Sequence, residues 1–201
     1  MGIATHGNKE FEAITTQILW MQRYLQELYA IDDNSPKFTQ EYRDIAPEFF
    51  RMLSGLLYDA AILGVARLLD PAKQRGNNNM SMEAAIQACN WLDNSTKDKC
   101  ADQLQKLRVS KPAKNIVEAR NKLLAPAAFD SVADYPHSAR QYAPPYDTLP
   151  GVVSDIAALR NNLRPCGSLA IDVHQAAGGE NWKGVVAILE HLVVGEDGGR
   201  L

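Results

Sequence analysis

The chain has few of the residues on which disulfide-stapled or metal-bound proteins depend. Of its 201 residues, only three are cysteine and four are histidine. The cysteines are Cys89, Cys100 and Cys166, an odd set whose spacing matches no thiolate metal framework, so we expect reduced thiols packed between helices. The histidines, none with a metal-binding partner at a helical offset, are His6, His137, His174 and His191. We therefore expect no metal and no cofactor.

Long apolar runs and catalytic loop motifs are also missing. Charged residues interrupt every apolar stretch, and no run approaches the roughly 18 uncharged apolar residues that a membrane span needs. The first residues contain no basic stretch followed by an apolar one. No glycine-rich phosphate loop or nucleophile elbow occurs, which argues against a P-loop nucleotidase and a hydrolase triad. The sequence predicts a cytoplasmic protein without a membrane segment.

The composition is that of an ordinary globular protein. Hydrophobic residues make up 46% and charged residues 22% of the chain, far from the composition of disordered proteins. A chain of this length is expected to build one hydrophobic core. We predict one domain over residues 1–201, with its core at about 8–194 and a fraying tail at 195–201.

Apolar residues recur mainly at helical spacing. Six of them predict a first helix at about 8–30: Phe11, Ile14, Ile18, Met21, Leu25 and Leu28. Apolar residues cover more than one face of the next long helix, so this helix should be central in the bundle. It contains Pro47, either in its first turn or at a kink, and it ends at Asp70-Pro71. Shorter helices are predicted at about 81–92, 95–107 and 112–124, the last ended by Ala125-Pro126.

The remaining segments predict loops and two further helical regions. Residues 72–79 are expected to be a polar loop without regular structure, and 127–150 a long connection. Helical spacing returns with Val152, Ile156, Leu159 and Leu163, is interrupted at Pro165 and Gly167, and resumes over 169–177, which predicts a kinked or broken helix. A last helix is predicted from about 181. Strands are incidental at most. The predicted fold is all-α, an up-and-down helical bundle with additional short helices.

Charge is distributed unevenly. The net charge is −3, but the segment 97–122 has a local excess of +5, which leaves −8 for the rest of the chain. Its eight cations are Lys97, Lys99, Lys106, Arg108, Lys111, Lys114, Arg120 and Lys122. A basic strip of this kind favours an anionic partner, although a solvated helix face is the common alternative.

Three short phrases stand out in the helical pattern. They are ARLLDP (66–71) at the end of the central helix, MSM (80–82) at the start of a short one, and RNK (120–122) late in the next main helix. With these phrases the chain resembles, over about residues 10–195, the HEPN superfamily and in particular its AbiU-like abortive-infection branch. The resemblance implies a HEPN bundle, a homodimer with a site assembled across a two-fold axis, and a relation to phage defence or toxin–antitoxin systems. Many members are metal-independent endoribonucleases.

The catalytic signature of those ribonucleases is incomplete here. It consists of an arginine, a polar residue and a histidine five to seven positions after the arginine; Arg120 and Asn121 match, but the later positions hold Ala125, Pro126 and Ala127. Cleavage by 2′-hydroxyl attack needs a group that titrates near neutrality in addition to a cation, and arginine supplies only the cation. Losing acid–base catalysis costs on the order of a hundred to ten thousand fold in rate.

The preferred interpretation is a pseudoenzyme that binds RNA, a nucleotide or an acidic partner protein. Its proposed phosphate-binding residues are Arg120, Lys122, Lys114, Lys111 and Arg108, with Asn121 as a remnant of the catalytic motif. One alternative is a metal-independent endoribonuclease in which a residue from elsewhere replaces the histidine. A second alternative is a structural, oligomerising helical protein in which Arg120 pairs with a carboxylate such as Asp59 or Asp70.

The supporting residues Asp59, Arg67 and Asp70 allow two interpretations. The spacing of Arg67 and Asp70 matches the family phrase, but it also suits a helix-surface ion pair. Asp59 lies in an apolar run, where a carboxylate needs a polar or cationic partner. We expect Arg120 to be that partner, because the two long helices are adjacent in HEPN bundles.

Overall fold

The computed structural model describes residues 8–32, 46–90, 92–124, 144–145 and 147–163. Within these ranges the fold is all-α, as predicted, with one very small hairpin. The helices are α1 (Asn8–Asp32), α2 (Pro47–Leu69), α3 (Met82–Ala88), α4 (Asn94–Val109), α5 (Lys111–Ala119) with a π-helical turn (Arg120–Leu124) directly after it, and α6 (Thr148–Leu163). The hairpin strands are β1 (Lys73–Gln74) and β2 (Asn77–Asn78).

Helices α1 and α2 form the most extensive helix pair of the described bundle. All six apolar residues of the predicted α1 stripe are buried. The two helices approach so closely that a Cβ atom on Gly64 would lie 2.7 Å from Cγ of Met21. Glycine at this position therefore permits the close crossing on which the core depends.

Helix α2 is long and apolar because it is central. By length and composition it is the one described helix that could cross a membrane, with a mean hydropathy of 1.5 in its most apolar window. Half of that window is buried within the protein, where α2 packs against α1, α5 and α6. This is how the core helix of a helical bundle behaves. Pro47 lies in the first turn, where its missing N–H is harmless, and introduces no kink.

Side-chain caps define the short helices. The N–H of Ala84 donates to Oγ of Ser81 at the start of α3, and the N–H of Thr96 donates to Asp93 before α4. Ser110 ends α4 and also caps α5, which contains Pro112 in its first turn. These helices match the predicted ones, except that α3 ends at Ala88 rather than near residue 92, because the chain becomes extended at Cys89.

The segment after α2 corrects one prediction. Residues 72–79 were expected to lack regular structure, but β1 and β2 pair in antiparallel fashion. Both turn residues have positive φ, 50° at Arg75 and 84° at Gly76, the combination of a type I′ hairpin turn. The N–H of Asn79 closes the hairpin by donating to the Ala72 carbonyl. Local backbone geometry thus overrides the weak strand propensity of asparagine.

Helix α6 completes the described core. Its predicted stripe, Val152, Ile156, Leu159 and Leu163, is buried. The helix begins at Thr148, so Pro150 belongs to its first turn rather than to the connection before it. The predictions for most of that connection, for the interrupted and last helices beyond residue 163, and for the tail lie outside the described residues.

Sequence reasoning missed a buried cation on α6. Arg160 is only 4% exposed, and its guanidinium lies 4.4 Å from the centroid of the Phe11 ring. Its Nε donates to Oγ1 of Thr15 at 3.0 Å. Arg160 therefore joins α6 to α1 through a cation–π contact and a hydrogen bond. A single arginine in an amphipathic helix carries no signal of such a role.

Candidate functional site: a basic cleft beside the end of α2

A cleft of about 630 Å³ lies where the end of α2 meets α5 and the π-helical turn. Six of the residues singled out from the sequence line it: Asp70, Arg108, Lys114, Arg120, Asn121 and Lys122. The remaining lining residues are Leu69, Pro71, Gln74, Val117 and Glu118. The fold thus brings together one end of α2, the hairpin and four of the eight cations of the basic strip. Gln74 could not be predicted, because its place depends on the hairpin.

Arg120 is held by Asp70 across 50 residues of sequence. Its Nη1 donates to both carboxylate oxygens of Asp70, each at 2.7 Å. Its Nε donates to Oδ1 of Asn121 at 3.1 Å. The side chains of Arg120 and Asp70 are 18% and 16% exposed, so the ion pair is largely shielded from water but remains accessible from the cleft.

The position of Arg120 follows from the end of its helix. Arg120 has helical backbone angles, and its N–H reaches the carbonyl oxygens of both Ile116 and Val117. The next residues, through Leu124, widen into a π-helical turn, a geometry that often accompanies functional sites. The helix extends to Leu124 as predicted, and this turn directs Arg120 and Asn121 to the cleft.

Arg108 has a different environment from Arg120. Its Nε donates to the Leu69 carbonyl at 2.7 Å and its Nη2 to the Asp70 carbonyl at 2.6 Å. Its Nη1 forms an ion pair with Glu83 at 2.7 Å. All three guanidinium nitrogens are therefore engaged, and Arg108 caps the last carbonyls of α2 where a cation also suits the helix dipole.

The lysines of the predicted site differ in their availability. Lys122 forms an ion pair with Glu118 at 2.6 Å on the same helical face. Lys114 lines the cleft, is exposed, and has no ion pair within the described ranges. Lys111 is exposed at the start of α5 and does not line the cleft. Lys114 is thus the cation of the cleft most open to a ligand.

Two of the supporting residues lie outside the cleft. The prediction that Arg120 pairs with Asp59 is wrong, because Asp70 at the end of α2 is the carboxylate that Arg120 reaches. Asp59 is only partly buried, and desolvation raises its pKa above the usual value. Arg67 is exposed and contributes its carbonyl, which accepts the N–H of Asp70 at 3.3 Å. The expected Arg67–Asp70 ion pair is replaced by this backbone contact.

The described residues contain no group of three or more histidine, cysteine or acidic side chains arranged to hold a metal ion. All four histidines lie outside those residues. Cys89 and Cys100 are buried free thiols. Desolvation, the main cause, raises the pKa of Cys89 to about 11, and it also raises that of Cys100. Both cysteines therefore behave as core residues and not as nucleophiles.

The helical bundle and the site at the end of its central helix define a HEPN-type protein. The sequence model of the family HEPN_AbiU2, described as AbiU2, matches residues 8–126, which is more than half of the chain. The chain belongs to this family. The matched span runs from α1 through the π-helical turn and so includes the whole cleft. Comparisons with curated proteins and with solved structures found no match.

Proposed function

We propose that the protein is a non-catalytic member of the AbiU2 family that binds RNA or a nucleotide in the cleft. The observation that carries the proposal is the placement of Arg120, Lys114 and Lys122 around one cleft. We further propose that it acts as a cytoplasmic regulatory module related to phage defence or toxin–antitoxin systems, the setting that its family suggests.

The charges of the cleft support an anionic ligand. Four cations, Arg108, Lys114, Arg120 and Lys122, face two carboxylates, Asp70 and Glu118, so the lining carries a net positive charge in a protein that is negative as a whole. A positive recess in an acidic protein concentrates anions locally. Phosphate groups are the natural ligands, because guanidinium and ammonium groups bind them through charge-assisted hydrogen bonds.

The chemistry of the lining supports binding without cleavage. It consists of carboxylates, lysines, arginines, amides and apolar side chains and contains no histidine, the side chain that ordinarily serves as a proton shuttle near neutrality. The positions where ribonucleases of this superfamily have their histidine hold alanine, proline and alanine. A proton shuttle for 2′-hydroxyl attack would have to come from elsewhere.

A salt series tests binding. Affinity for a labelled single-stranded RNA should fall steeply with added salt, because phosphate contacts release counterions. Lys114→Ala, within the cleft, should weaken binding more than Lys99→Ala, an equal loss of charge on an exposed residue of α4 outside it. Equal effects of the two variants, or binding that does not respond to salt, would contradict a site in the cleft.

A cleavage assay tests the lack of catalysis. Wild type, Arg120→Ala and Pro126→His are incubated with structured RNA in EDTA, and binding and cleavage are both recorded. Binding without cleavage by wild type supports the proposal. The Pro126→His variant tests whether a histidine at a motif position restores cleavage. Cleavage by wild type that disappears in Arg120→Ala would establish the endoribonuclease alternative. The absence of both activities would favour a protein partner or a structural role.

The structural alternative has one observation in its favour. The Arg120–Asp70 ion pair is the contact expected if Arg120 only stabilises the bundle. In that case Arg120→Ala lowers stability but leaves RNA binding unchanged. Measuring both properties on the same variant separates the two functions.

We also propose that two copies of the chain associate through the outer face of α2. Phe49, Met52 and Leu56 recur at steps of three and four and are 49%, 57% and 58% exposed. Exposed apolar side chains that lie along one helix face are a common feature of protein interfaces. Sedimentation velocity should show a wild-type dimer that Leu56→Glu converts to a monomer, whereas Met80→Glu, at an exposed apolar residue elsewhere, should not. A monomeric wild type would contradict the dimer.

A further inference from the structure

The guanidinium of Arg120 already binds an anion of its own chain. Two of its three nitrogens are engaged, Nη1 by the Asp70 carboxylate and Nε by Asn121. Its Nη2 has no hydrogen-bond partner among the described residues. A ligand that approaches Arg120 from the cleft therefore meets a partly neutralised cation and has to compete with Asp70.

We propose that the cleft binds a terminal phosphate, the phosphomonoester of a mononucleotide or of an RNA end, and that Asp70 selects it over an internal phosphodiester. The proposal rests on the proposed function, because it specifies which part of an RNA or nucleotide occupies the cleft. Asp70 acts as a resident competitor for Arg120.

The charges of the competing anions explain the selection. A phosphodiester carries one negative charge, as the Asp70 carboxylate does, so exchanging one for the other at Arg120 gains little electrostatic energy. A phosphomonoester carries about −1.5 to −2 charges at pH 7 and three acceptor oxygens. Its three oxygens allow one acceptor each for Nη1 and Nη2 of Arg120 and for the ammonium group of Lys114, whereas a phosphodiester has only two free oxygens and one charge for the same donors.

The size of the cleft fits the same ligand. Its volume of about 630 Å³ lies within the range of small-molecule sites. The apolar side chains of Leu69 and Val117 line it together with the amide of Gln74. One nucleotide can place a phosphate at Arg120 and its base against this mixed surface. A duplex would have to lie outside the cleft.

The exchange requires only the side chain of Asp70 to move. Its backbone is fixed separately, because its N–H donates to the Arg67 carbonyl and its own carbonyl accepts from Nη2 of Arg108 at 2.6 Å. Asp70→Asn should therefore fold normally. It removes the competing charge but keeps an oxygen that can accept from Nη1 of Arg120.

Fluorescence anisotropy can test the selection with one labelled oligoribonucleotide prepared with a 5′-phosphate, with a 3′-phosphate or with hydroxyl ends. A nucleoside monophosphate and the matching nucleoside, used as competitors, distinguish a free nucleotide from an RNA end.

Wild type should bind a phosphorylated form about tenfold more tightly than the hydroxyl form, the value of one added charge interaction in a partly shielded site. Asp70→Asn should reduce this ratio by improving binding of the hydroxyl form, and Arg120→Gln should abolish it. Lys99→Ala should leave the ratio unchanged.

The other outcomes separate the two proposals. Equal binding of all three forms by wild type, weakened by Arg120→Gln, would overturn the selection and leave the proposed function intact. Weaker binding of every form by Asp70→Asn, with an unchanged melting temperature, would show that Asp70 positions Arg120 and does not compete with the ligand. Binding that Arg120→Gln does not affect would contradict both proposals.

Discussion

Nη1 of Arg108 lies 2.7 Å from a carboxylate oxygen of Glu83, so a cation on α4 is attached to α3. The two remaining nitrogens of the same guanidinium donate to the last carbonyls of α2. One side chain thus joins three helices beneath the cleft. The basic strip therefore contains residues with different tasks: Arg108 supports the end of α2, whereas Lys114 and Arg120 are accessible to a ligand.

Replacing Arg108 should destabilise the fold. Arg108→Ala leaves two partly buried carbonyl groups and Glu83 without their charged donor, and we expect a loss of about 1–3 kcal/mol in the free energy of unfolding. Arg108→Lys should recover only part of this loss, because an ammonium group lacks the planar fork that reaches all three acceptors. Urea denaturation measures both variants. Lys99→Ala serves as the exposed control, and an equal effect of that variant would refute the capping role.

The two glycines of α2 should respond in opposite ways to alanine. Gly64→Ala places a methyl group 2.7 Å from Cγ of the buried Met21, and the overpacking should cost about 1–3 kcal/mol, more than the gain of about 1 kcal/mol in helix propensity. Gly55→Ala meets nothing within 4 Å, so only the gain in propensity remains. Thermal unfolding of both variants checks the prediction. A Gly64→Ala variant more stable than wild type would show that the Met21 side chain can move aside without loss of stability.

Asp59→Asn should stabilise the protein at neutral pH. Burial raises the pKa of Asp59, so the folded state prefers the protonated form; this contribution is present below the usual pKa and is lost as the pH rises through the folded-state value. The ionised carboxylate is therefore unfavourable at pH 7, and a neutral amide avoids this penalty. The advantage should shrink toward acidic pH. Asp155→Asn, the same substitution at an exposed position of α6, serves as the control, and an equal gain in that variant would contradict the role of burial at Asp59.

The buried thiols should resist alkylation in the folded protein. Burial raises the pKa of Cys89 to about 11, so the reactive thiolate is scarce at pH 8. Iodoacetamide should modify Cys89 and Cys100 only after unfolding, as measured by mass spectrometry of peptides with and without urea. Rapid labelling of either residue in the native protein would be inconsistent with the packing described.

The raised pKa of Cys89 also predicts a loss of stability at high pH. Because the folded state holds Cys89 protonated, its contribution is present below the usual pKa of about 9 and is lost as the pH rises toward 11. Cys89→Ala should therefore flatten the decline of the melting temperature between pH 9 and pH 11 relative to wild type. If the melting temperature of Cys89→Ala declines as steeply as that of wild type, the decline is caused by other titrating groups.

Much of the fold could be predicted because helical periodicity is a local property. The apolar stripes of α1 and α6 could be recognised from their spacing alone, and Asp70-Pro71 marked the end of α2 because proline cannot continue a helix. The hairpin could not be predicted, because it depends on two positive φ angles in a segment of weak strand formers. The spacing of apolar residues also gave no indication that α3 ends at Ala88.

The sequence by itself determined that the chain is a helical bundle and that its basic residues are concentrated in the segment 97–122. It also determined that no histidine follows Arg120 at the motif positions. Only the tertiary structure decided that Arg120 pairs with Asp70 and not with Asp59, and that Arg108 caps α2. Asp59 lies within α2 and Asp70 directly follows its last residue, and both carboxylates could pair with an arginine as far as the sequence shows. The choice between them depends on where α5 crosses α2, a result of packing that no local pattern contains.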